Sequence, residues 1–165
     1  MAQTALKGNP VQTNADLPTE GSQAKDFTLI AQDLSEANLE KYSGKKKIFN
    51  IVPSLDTPVC ATSTRKFNEK AGSIDNTVVL VVSKDLPFAM KRFCATEGIE
   101  NVEALSDFRG TFAIDYGVEM IDGPLKGLTA RAIVVLDESD KVVHTELVAD
   151  ITQEPDYEKA LGAVS

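Results

Sequence analysis

The sequence predicts an α/β protein with a mixed central sheet flanked by helices and an N-terminal β-hairpin. Three observations predict this class: strands and helices alternate through the middle of the chain, a short turn joins two later strands, and a helix closes the chain. The chain has 165 residues, of which 42% are hydrophobic. We therefore expect a single domain over residues 1–165 with a sizeable core.

The first 25 residues are polar and are interrupted by glycine and proline. Short stretches on either side of Gly8-Asn9 predict the hairpin, so residues 1–25 are expected to form an appendage to the core. A first strand of the core is predicted over Phe27–Ile30. A second is predicted over Lys45–Val52, and its latter half is typical of a buried strand.

Helices and strands alternate after this point. Helices are predicted over Val59–Ala71 and Asp85–Glu97, each followed by a glycine, with a strand over Thr77–Val82 between them. Pro87 falls in the first turn of the second helix, where proline is tolerated because that N–H has no helical partner. A short strand is predicted over Val102–Leu105.

The pattern changes in the last third of the chain. A short helix is predicted over Phe112–Tyr116. Strands over Ala132–Leu136 and Val142–Val148 are joined through Asp137-Glu138-Ser139-Asp140, a connection short enough for an antiparallel hairpin. A last helix is predicted over Pro155–Ala163. Together these elements predict a mixed sheet covered on both faces, an arrangement of the thioredoxin-like type.

The charge of the chain argues against several classes of partner. Seventeen Lys and Arg against 25 Asp and Glu give a net charge of -8, which repels phosphate backbones and anionic lipid. The apolar runs are far shorter than the roughly 20 residues of a membrane helix. The N-terminus has no signal-peptide pattern. We therefore expect no nucleic acid, no membrane and a cytoplasmic location.

Two cysteines, Cys60 and Cys94, are too few for a disulfide scaffold, and in a reducing cytosol such a pair is more often reactive than structural. Cys60 lies in the first turn of its predicted helix, where unpaired N–H groups and the helix dipole favour the thiolate. Thr57 either faces the sulfur or simply caps the helix. Pro53 either shields the sulfur from water or simply ends the strand.

Ionisation of Cys60 alone gives only a small increase in reaction rate, because a thiolate becomes less nucleophilic as the pKa of its thiol falls. A fast enzyme also needs polar groups aimed at the atoms being attacked and expelled. Arg131, at the start of a central strand beside a glycine-rich loop, could steady the thiolate and negative charge developing on oxygen. Arg65, on the same helix as Cys60, is its rival, and most arginines at a strand start are solvated.

Cys94 lies late in its predicted helix and has two interpretations. It is either a small buried core residue or a resolving thiol that condenses with a sulfenic acid on Cys60. The two α-carbons are expected to lie beyond the roughly 7 Å limit for bridging, so a disulfide would require local unfolding. His144 has no partner at ligand spacing, and an ordinary strand position is favoured over a metal or catalytic role.

The stretch from Pro53 to Cys60, Pro-Ser-Leu-Asp-Thr-Pro-Val-Cys, resembles the Pro, Thr, Cys signature of peroxiredoxins. Its Ser-x-Asp-Thr-x-Val-Cys form is similar to that of the bacterial thiol peroxidases, the atypical two-cysteine branch of that family. The resemblance covers nearly the whole chain, because it continues through Asp85–Phe88, Arg92–Cys94, Asp122–Leu128, Arg131 and Glu154–Tyr157.

The resemblance implies that Cys60 is the peroxidatic cysteine and Cys94 the resolving cysteine of the same subunit. It implies that Thr57 and Arg131 hold and polarise the peroxide, with Pro53 shielding the sulfur. It further implies a homodimer, hydrogen peroxide or an alkyl hydroperoxide as substrate, thioredoxin as reductant, and no metal, haem or other cofactor.

Other functions compete with a thiol-dependent peroxidase. The first is a non-enzymatic peroxide sensor whose Cys60–Cys94 disulfide switches a partner interface. The second is a binding module in which both cysteines are inert core residues. A disulfide oxidoreductase ranks lower, because the second cysteine does not lie two residues past the first.

Overall fold

The computed structural model describes residues 1–165. An antiparallel hairpin, β1 (Gln3–Leu6) and β2 (Asn9–Gln12), precedes a seven-stranded sheet. The strands of the sheet are β3 (Leu29–Ile30), β4 (Glu36–Ala37), β5 (Lys46–Ile51), β6 (Thr77–Ser83), β7 (Val102–Ser106), β8 (Ala132–Leu136) and β9 (Val142–Leu147). The helices are α1 (Pro58–Ala71), α2 (Pro87–Glu97), α3 (Phe112–Asp115) and α4 (Tyr157–Gly162).

The strand order across the sheet is β4-β3-β7-β6-β5-β8-β9. The central strands β5, β6 and β7 are parallel, whereas β8 and β9 on one side and β3 and β4 on the other add antiparallel pairs. This is the predicted mixed sheet. The predicted hairpin of β8 and β9 is also confirmed, as is the separate hairpin at the N-terminus.

Alternate residues of the central strands face two different hydrophobic cores, as expected for a sheet covered on both sides. Phe49 and Ile51 of β5 face a core that includes α3 and the aromatic rings of Phe27, Phe112 and Tyr116. The neighbouring position Ile48 faces the other core, which packs against α1, α2 and α4 and contains both cysteines. The cysteines therefore lie on one face of the sheet.

Helices α2 and α4 begin later than predicted and α1 begins one residue earlier, at Pro58, because a cap or a proline sets each start. Pro87 is the first residue of α2 and Leu86 is extended, so Asp85 lies outside the helix. A residue before proline is sterically disfavoured in the helical conformation. In α4 the Asp156 side chain accepts a hydrogen bond from the Lys159 N–H, which makes Asp156 the cap and excludes Pro155 from the helix.

The remaining differences from the predictions are small. The strand predicted over Phe27–Ile30 contains only Leu29–Ile30, and the helix predicted over Phe112–Tyr116 ends at Asp115. The two-residue strand Glu36–Ala37 and a 3₁₀ turn over Glu40–Tyr42 were not predicted, since such short elements show no periodicity. No helix combines the length and the apolar character needed to cross a bilayer.

Candidate active site

The N-terminus of α1 places Cys60 at the third helical position. Thr57 precedes the helix with an extended backbone (φ -86°, ψ 146°), and Pro58 is the first helical residue. The Thr57 hydroxyl accepts a hydrogen bond from the Cys60 N–H at 3.4 Å and donates one to the Ser54 carbonyl at 3.1 Å. Thr57 is therefore the helix cap, and its hydrogen bonds go to the backbone rather than to the sulfur.

The sulfur of Cys60 is fully buried and lies against Arg131. The Nη2 of Arg131 donates a hydrogen bond to Cys60 Sγ at 3.0 Å. Arg131 is itself only 1% exposed. The rival Arg65 instead points to the surface, where its Nη1 lies 3.1 Å from a carboxylate oxygen of Glu97. The structure thus brings Arg131, and not Arg65, to the sulfur.

The hydrogen bonds of Arg131 go to a backbone carbonyl and to the sulfur. Its Nε donates to the Ile151 carbonyl at 2.8 Å, so neither hydrogen-bond partner is a carboxylate. Its Nη1 is buried without a hydrogen-bond partner. A guanidinium has five N–H donors in one plane, so it can bond the sulfur and a second group at the same time. The free Nη1 can donate to a second acceptor, such as a substrate oxygen.

A cavity of about 140 Å³ lies beside the arginine. Pro53, Thr57 and Arg131 all line it, so three of the five predicted site residues share one cavity. Most of the remaining wall is apolar and includes Leu6 from β1 and Leu125 from a loop. The cavity can therefore hold a small molecule with a polar end at Arg131 and an apolar remainder.

Asp85 fastens the loop that precedes Cys60. Its carboxylate accepts hydrogen bonds from the Ser54 hydroxyl and the Leu55 N–H, both at 2.8 Å, and from the Ser83 hydroxyl at 2.7 Å. These bonds join the Pro53–Thr57 loop to the start of α2. The sequence predicts Asp85 only as a helix start, because its bonds to Ser54 and Leu55 span about 30 positions and leave no local signal.

Cys94 lies on the buried side of α2, in the same hydrophobic core as Cys60. Its Sγ accepts a hydrogen bond from Gln32 Nε2 at 3.5 Å. Burial raises the pKa of the Cys94 thiol, and the Gln32 contact opposes that shift only in part. Both cysteines are free thiols. The structure therefore shows Cys94 as a core residue, and its resolving role stays a prediction.

His144 and the apolar residues of α2 lie outside the cavity. His144 is half-buried on β9, opposite Val135, as an ordinary strand residue. On α2, Met90 and Phe93 belong to the core, whereas Phe88 is 67% exposed. No group of three or more His, Cys, Asp or Glu side chains is arranged to hold a metal ion.

A cluster at the rim of the site was not predicted. Glu154 lies 3.0 Å from Lys66 Nζ on α1 and accepts a hydrogen bond from the Tyr157 hydroxyl at 2.8 Å. The Lys66 contact holds the pKa of Glu154 below its usual range. The Tyr157 ring also packs edge-on against Phe67 at 5.2 Å. These contacts fasten the segment before α4 to the helix that carries Cys60.

Comparisons with known proteins identify relatives over the whole chain. A family model described as Redoxin matches residues 19–161. The thiol peroxidase of Corynebacterium glutamicum is 50% identical over 165 residues, which are 100% of each chain. The thiol peroxidase of Mycobacterium tuberculosis is 54% identical over 164 residues, which are 99% of each chain.

Solved structures show the same fold. A peroxiredoxin-like protein from Aquifex aeolicus superposes with a TM-score of 0.94 at 41% identity, over 99% of this chain and 96% of that one. The thiol peroxidase from Chromobacterium violaceum superposes with a TM-score of 0.89 at 24% identity, over 95% of this chain and 91% of that one. The second likeness concerns the fold alone.

Proposed function

Because the chain belongs to the Redoxin family, we propose that Cys60 is the residue through which it acts as a thiol-dependent peroxidase. The observation that carries this assignment is the 3.0 Å hydrogen bond from the buried Arg131 to Cys60 Sγ. It places a cationic hydrogen-bond donor beside a sulfur that lies in the first turn of α1.

In the first step the Cys60 thiolate attacks one oxygen of the peroxide O–O bond. A sulfur–oxygen bond forms, the O–O bond breaks, and the leaving oxygen takes a proton to depart as water or alcohol. Cys60 is oxidised to a sulfenic acid. The free Nη1 of Arg131 donates to the oxygen on which negative charge develops, while Thr57 fixes the first turn of α1. Pro53 shields the sulfur from water.

In the second step the Cys94 sulfur attacks the Cys60 sulfenic acid. A Cys60–Cys94 disulfide forms and water leaves. Cys94 is buried on a separate helix, so this step requires α2 or α1 to open locally. A thioredoxin-type dithiol then reduces the disulfide by exchange and becomes oxidised itself.

The lining of the cavity supports organic hydroperoxides as substrates beside hydrogen peroxide. Leu6, Leu125 and Ile151 present apolar surface next to the Arg131 guanidinium. An alkyl or aryl tail would bury apolar area against these side chains, whereas hydrogen peroxide has no such tail. We therefore propose that organic hydroperoxides react with lower KM values.

The proposal is tested by stopped-flow consumption of cumene hydroperoxide with wild type, Cys60→Ser and Cys94→Ser. Cys60→Ser should consume none. Cys94→Ser should react once and then hold a sulfenic acid, which mass spectrometry after a single equivalent of peroxide detects. Consumption by Cys60→Ser at the wild-type rate would refute the assignment. A lasting sulfenic acid in wild type, without the bridge, would refute resolution by Cys94.

Turnover separates an enzyme from a sensor. Repeated reduction of peroxide by catalytic amounts of protein with thioredoxin is expected, whereas a sensor would stop after one oxidation. The homodimer remains a prediction, which sedimentation of the reduced protein tests directly.

A further inference from the structure

The segment that holds Arg131 lies outside the predicted catalytic motifs. Residues 148–152, here called the arginine loop, connect β9 to the region before α4. The Ile151 carbonyl in this loop accepts the hydrogen bond from Arg131 Nε at 2.8 Å. A guanidinium is planar, so fixing Nε also fixes the direction in which Nη2 points towards Cys60. The position of the arginine loop therefore sets the geometry at the sulfur.

The arginine loop is held in turn by the N-terminal hairpin, from a distant part of the chain. The Thr4 hydroxyl donates to the Val148 carbonyl at 2.8 Å, and the Ile151 N–H donates to the Ala5 carbonyl at 2.8 Å. Val11 of β2 packs in one small apolar cluster with Ile151. Polar and apolar contacts thus join the hairpin to both ends of the loop.

Asp150 in the arginine loop accepts hydrogen bonds both from the hairpin and from its own loop. The hairpin turn at Lys7 and Gly8 has positive φ at both residues (51° and 83°), which presents two successive N–H groups to one point. Asp150 accepts from Gly8 N at 2.8 Å and from Lys7 N at 3.3 Å. It also accepts from the Thr152 N–H and hydroxyl of its own loop.

These donors favour the ionised carboxylate. Hydrogen bonds, from the Thr152 hydroxyl first and also from the Gly8 N–H, lower the pKa of Asp150 to about 2. Asp150 is therefore charged throughout the pH range in which a thiolate can react. The contact resembles anion binding by a backbone turn, with the anion supplied by the chain itself.

We infer that Asp150 is a positioning residue, which binds the N-terminal hairpin to the arginine loop and so orients Arg131 towards Cys60. The hairpin is then part of the active site. The inference rests on the proposed roles of Cys60 and Arg131. Asp150 touches neither sulfur nor substrate. Its effect on the sulfur passes through Ile151 and Arg131.

The test compares Asp150→Asn with Asp122→Asn. Asp122 is a matched control, because its exposed carboxylate also accepts from a hairpin N–H, that of Gln12 at 2.9 Å, but it does not contact the arginine loop. Asp150→Asn should slow oxidation of Cys60 by peroxide about tenfold, since a displaced catalytic group loses rate steeply. Asp122→Asn should change it less than about twofold. Equal effects of the two variants would overturn the inference.

A second readout separates positioning from general loss of structure. In an Arg131→Ala background, Asp150→Asn should lower the rate of Cys60 oxidation less than about twofold, because the residue through which Asp150 acts is absent. A full tenfold loss in that background would contradict the inference. If Asp150→Asn does not fold, Thr4→Val takes its place. It removes the hydroxyl bond to Val148 with little change of shape and should slow Cys60 oxidation about threefold.

The experiment also distinguishes this inference from the proposed function. The rate at which iodoacetamide alkylates Cys60 reports the reactivity of its sulfur and needs no peroxidase activity. In a Cys94→Ser background, Asp150→Asn should lower that rate severalfold at neutral pH. A protein that fails to reduce peroxide yet shows this drop in alkylation rate would refute the proposed function and support the positioning role of Asp150. An unchanged alkylation rate with intact peroxidase activity would refute the positioning role alone.

Discussion

Arg131 is unusual among the charged residues of this protein because it is buried and bonded to a sulfur and a carbonyl. A buried charge is costly unless polar groups around it accept its hydrogen bonds. The Ile151 carbonyl and the Cys60 sulfur are two such acceptors. The proposed role of Arg131 depends on these two bonds being kept together.

Arg131→Lys should lower the rate constant for peroxide reduction roughly a hundredfold, a loss typical of removing one donor to a transition-state oxyanion. Lysine keeps a charge but lacks the planar fork that bonds Ile151 and Cys60 together. Stopped-flow kinetics measure the effect. Arg65→Lys is the control and should change the rate less than about twofold, because Arg65 is in a surface ion pair. Similar losses in both variants would argue against the assigned role.

Thr57→Val should lower the free energy of unfolding by about 1 kcal/mol, because the N–H of Cys60 loses its cap. Thr57→Ser retains the hydroxyl and should restore both stability and activity. Urea unfolding followed by circular dichroism measures the change. Thr62→Val removes an exposed hydroxyl bond within the same helix and should have little effect on stability. No difference between the two valine variants would show that the cap is unimportant.

At the scale of elements, α1 and α2 begin in the same way and face the same core. Each begins with a proline after an extended residue, and each carries one cysteine into the same core. The Asp85 carboxylate fastens the loop before α1 to the start of α2. The start of α1 is thus capped by Thr57, the start of α2 has no side-chain cap, and the Asp85 carboxylate lies between them, while the cysteines have no covalent link.

Cys94 should be alkylated much more slowly in the folded chain than in the unfolded chain, because burial in α2 protects it. Burial raises the pKa of the thiol above its usual 9.0, so the folded state holds the proton more tightly. The resulting stabilisation is present below about pH 9 and declines above it, because the unfolded thiol then ionises first.

Iodoacetamide labelling of Cys60→Ser between neutral pH and pH 10, with hydrogen exchange of α2, measures this behaviour. The same variant in denaturant is the control. Labelling in the folded state at the denatured rate would show that Cys94 is not protected by the helix. Such a result would also remove the need for local opening before the disulfide forms.

Gly110→Ala should destabilise the protein by about 1–3 kcal/mol, the usual cost of overpacking. A Cβ at this position would lie 2.6 Å from an Asp107 carboxylate oxygen and 2.9 Å from the Thr28 carbonyl. That carboxylate caps α3 by accepting from the N–H groups of Phe112 and Ala113.

Gly162→Ala is the matched control. A Cβ on Gly162 meets nothing within 4 Å, and alanine in a helix should stabilise by about 0.5 kcal/mol. Thermal unfolding of both variants measures the difference. Equal melting temperatures would mean that the loop around Gly110 moves aside without cost.

At the scale of the whole molecule, the active-site cavity is assembled from segments far apart in sequence. Leu6 comes from the hairpin, Thr57 from the cap of α1, Leu125 from the loop before β8 and Ile151 from the arginine loop. None of these segments could form the cavity alone. Its size and apolar character therefore depend on the docking of the hairpin onto the body of the protein.

Leu125→Ala should raise the KM for cumene hydroperoxide about fivefold to tenfold, because lost apolar contact weakens binding of the aryl tail. Turnover of hydrogen peroxide, which has no tail, should change little. A thioredoxin-coupled assay with both substrates measures the ratio. Ile114→Ala, at an exposed position on α3, is the control and should leave the ratio unchanged. Parallel changes with both peroxides would exclude Leu125 from substrate selection.

The sequence by itself determined the features that depend on neighbouring residues. The strand and helix order, the β8–β9 hairpin and the place of Cys60 three residues after Thr57 all follow from periodicity, glycine and proline. These signals act within a turn or a strand. The order of the elements could therefore be predicted without knowing how they pack.

Only the tertiary structure decided which arginine meets the sulfur, which side chains line the cavity and what holds them. Arg131 and Cys60 are 71 positions apart, and Asp150 meets Gly8 across 142. Arg65 and Arg131 carry the same charge, so composition and spacing do not distinguish them. The distinction arises when the sheet brings the start of β8 beside α1 and the hairpin closes on the arginine loop, because long-range contacts depend on the path of the whole chain.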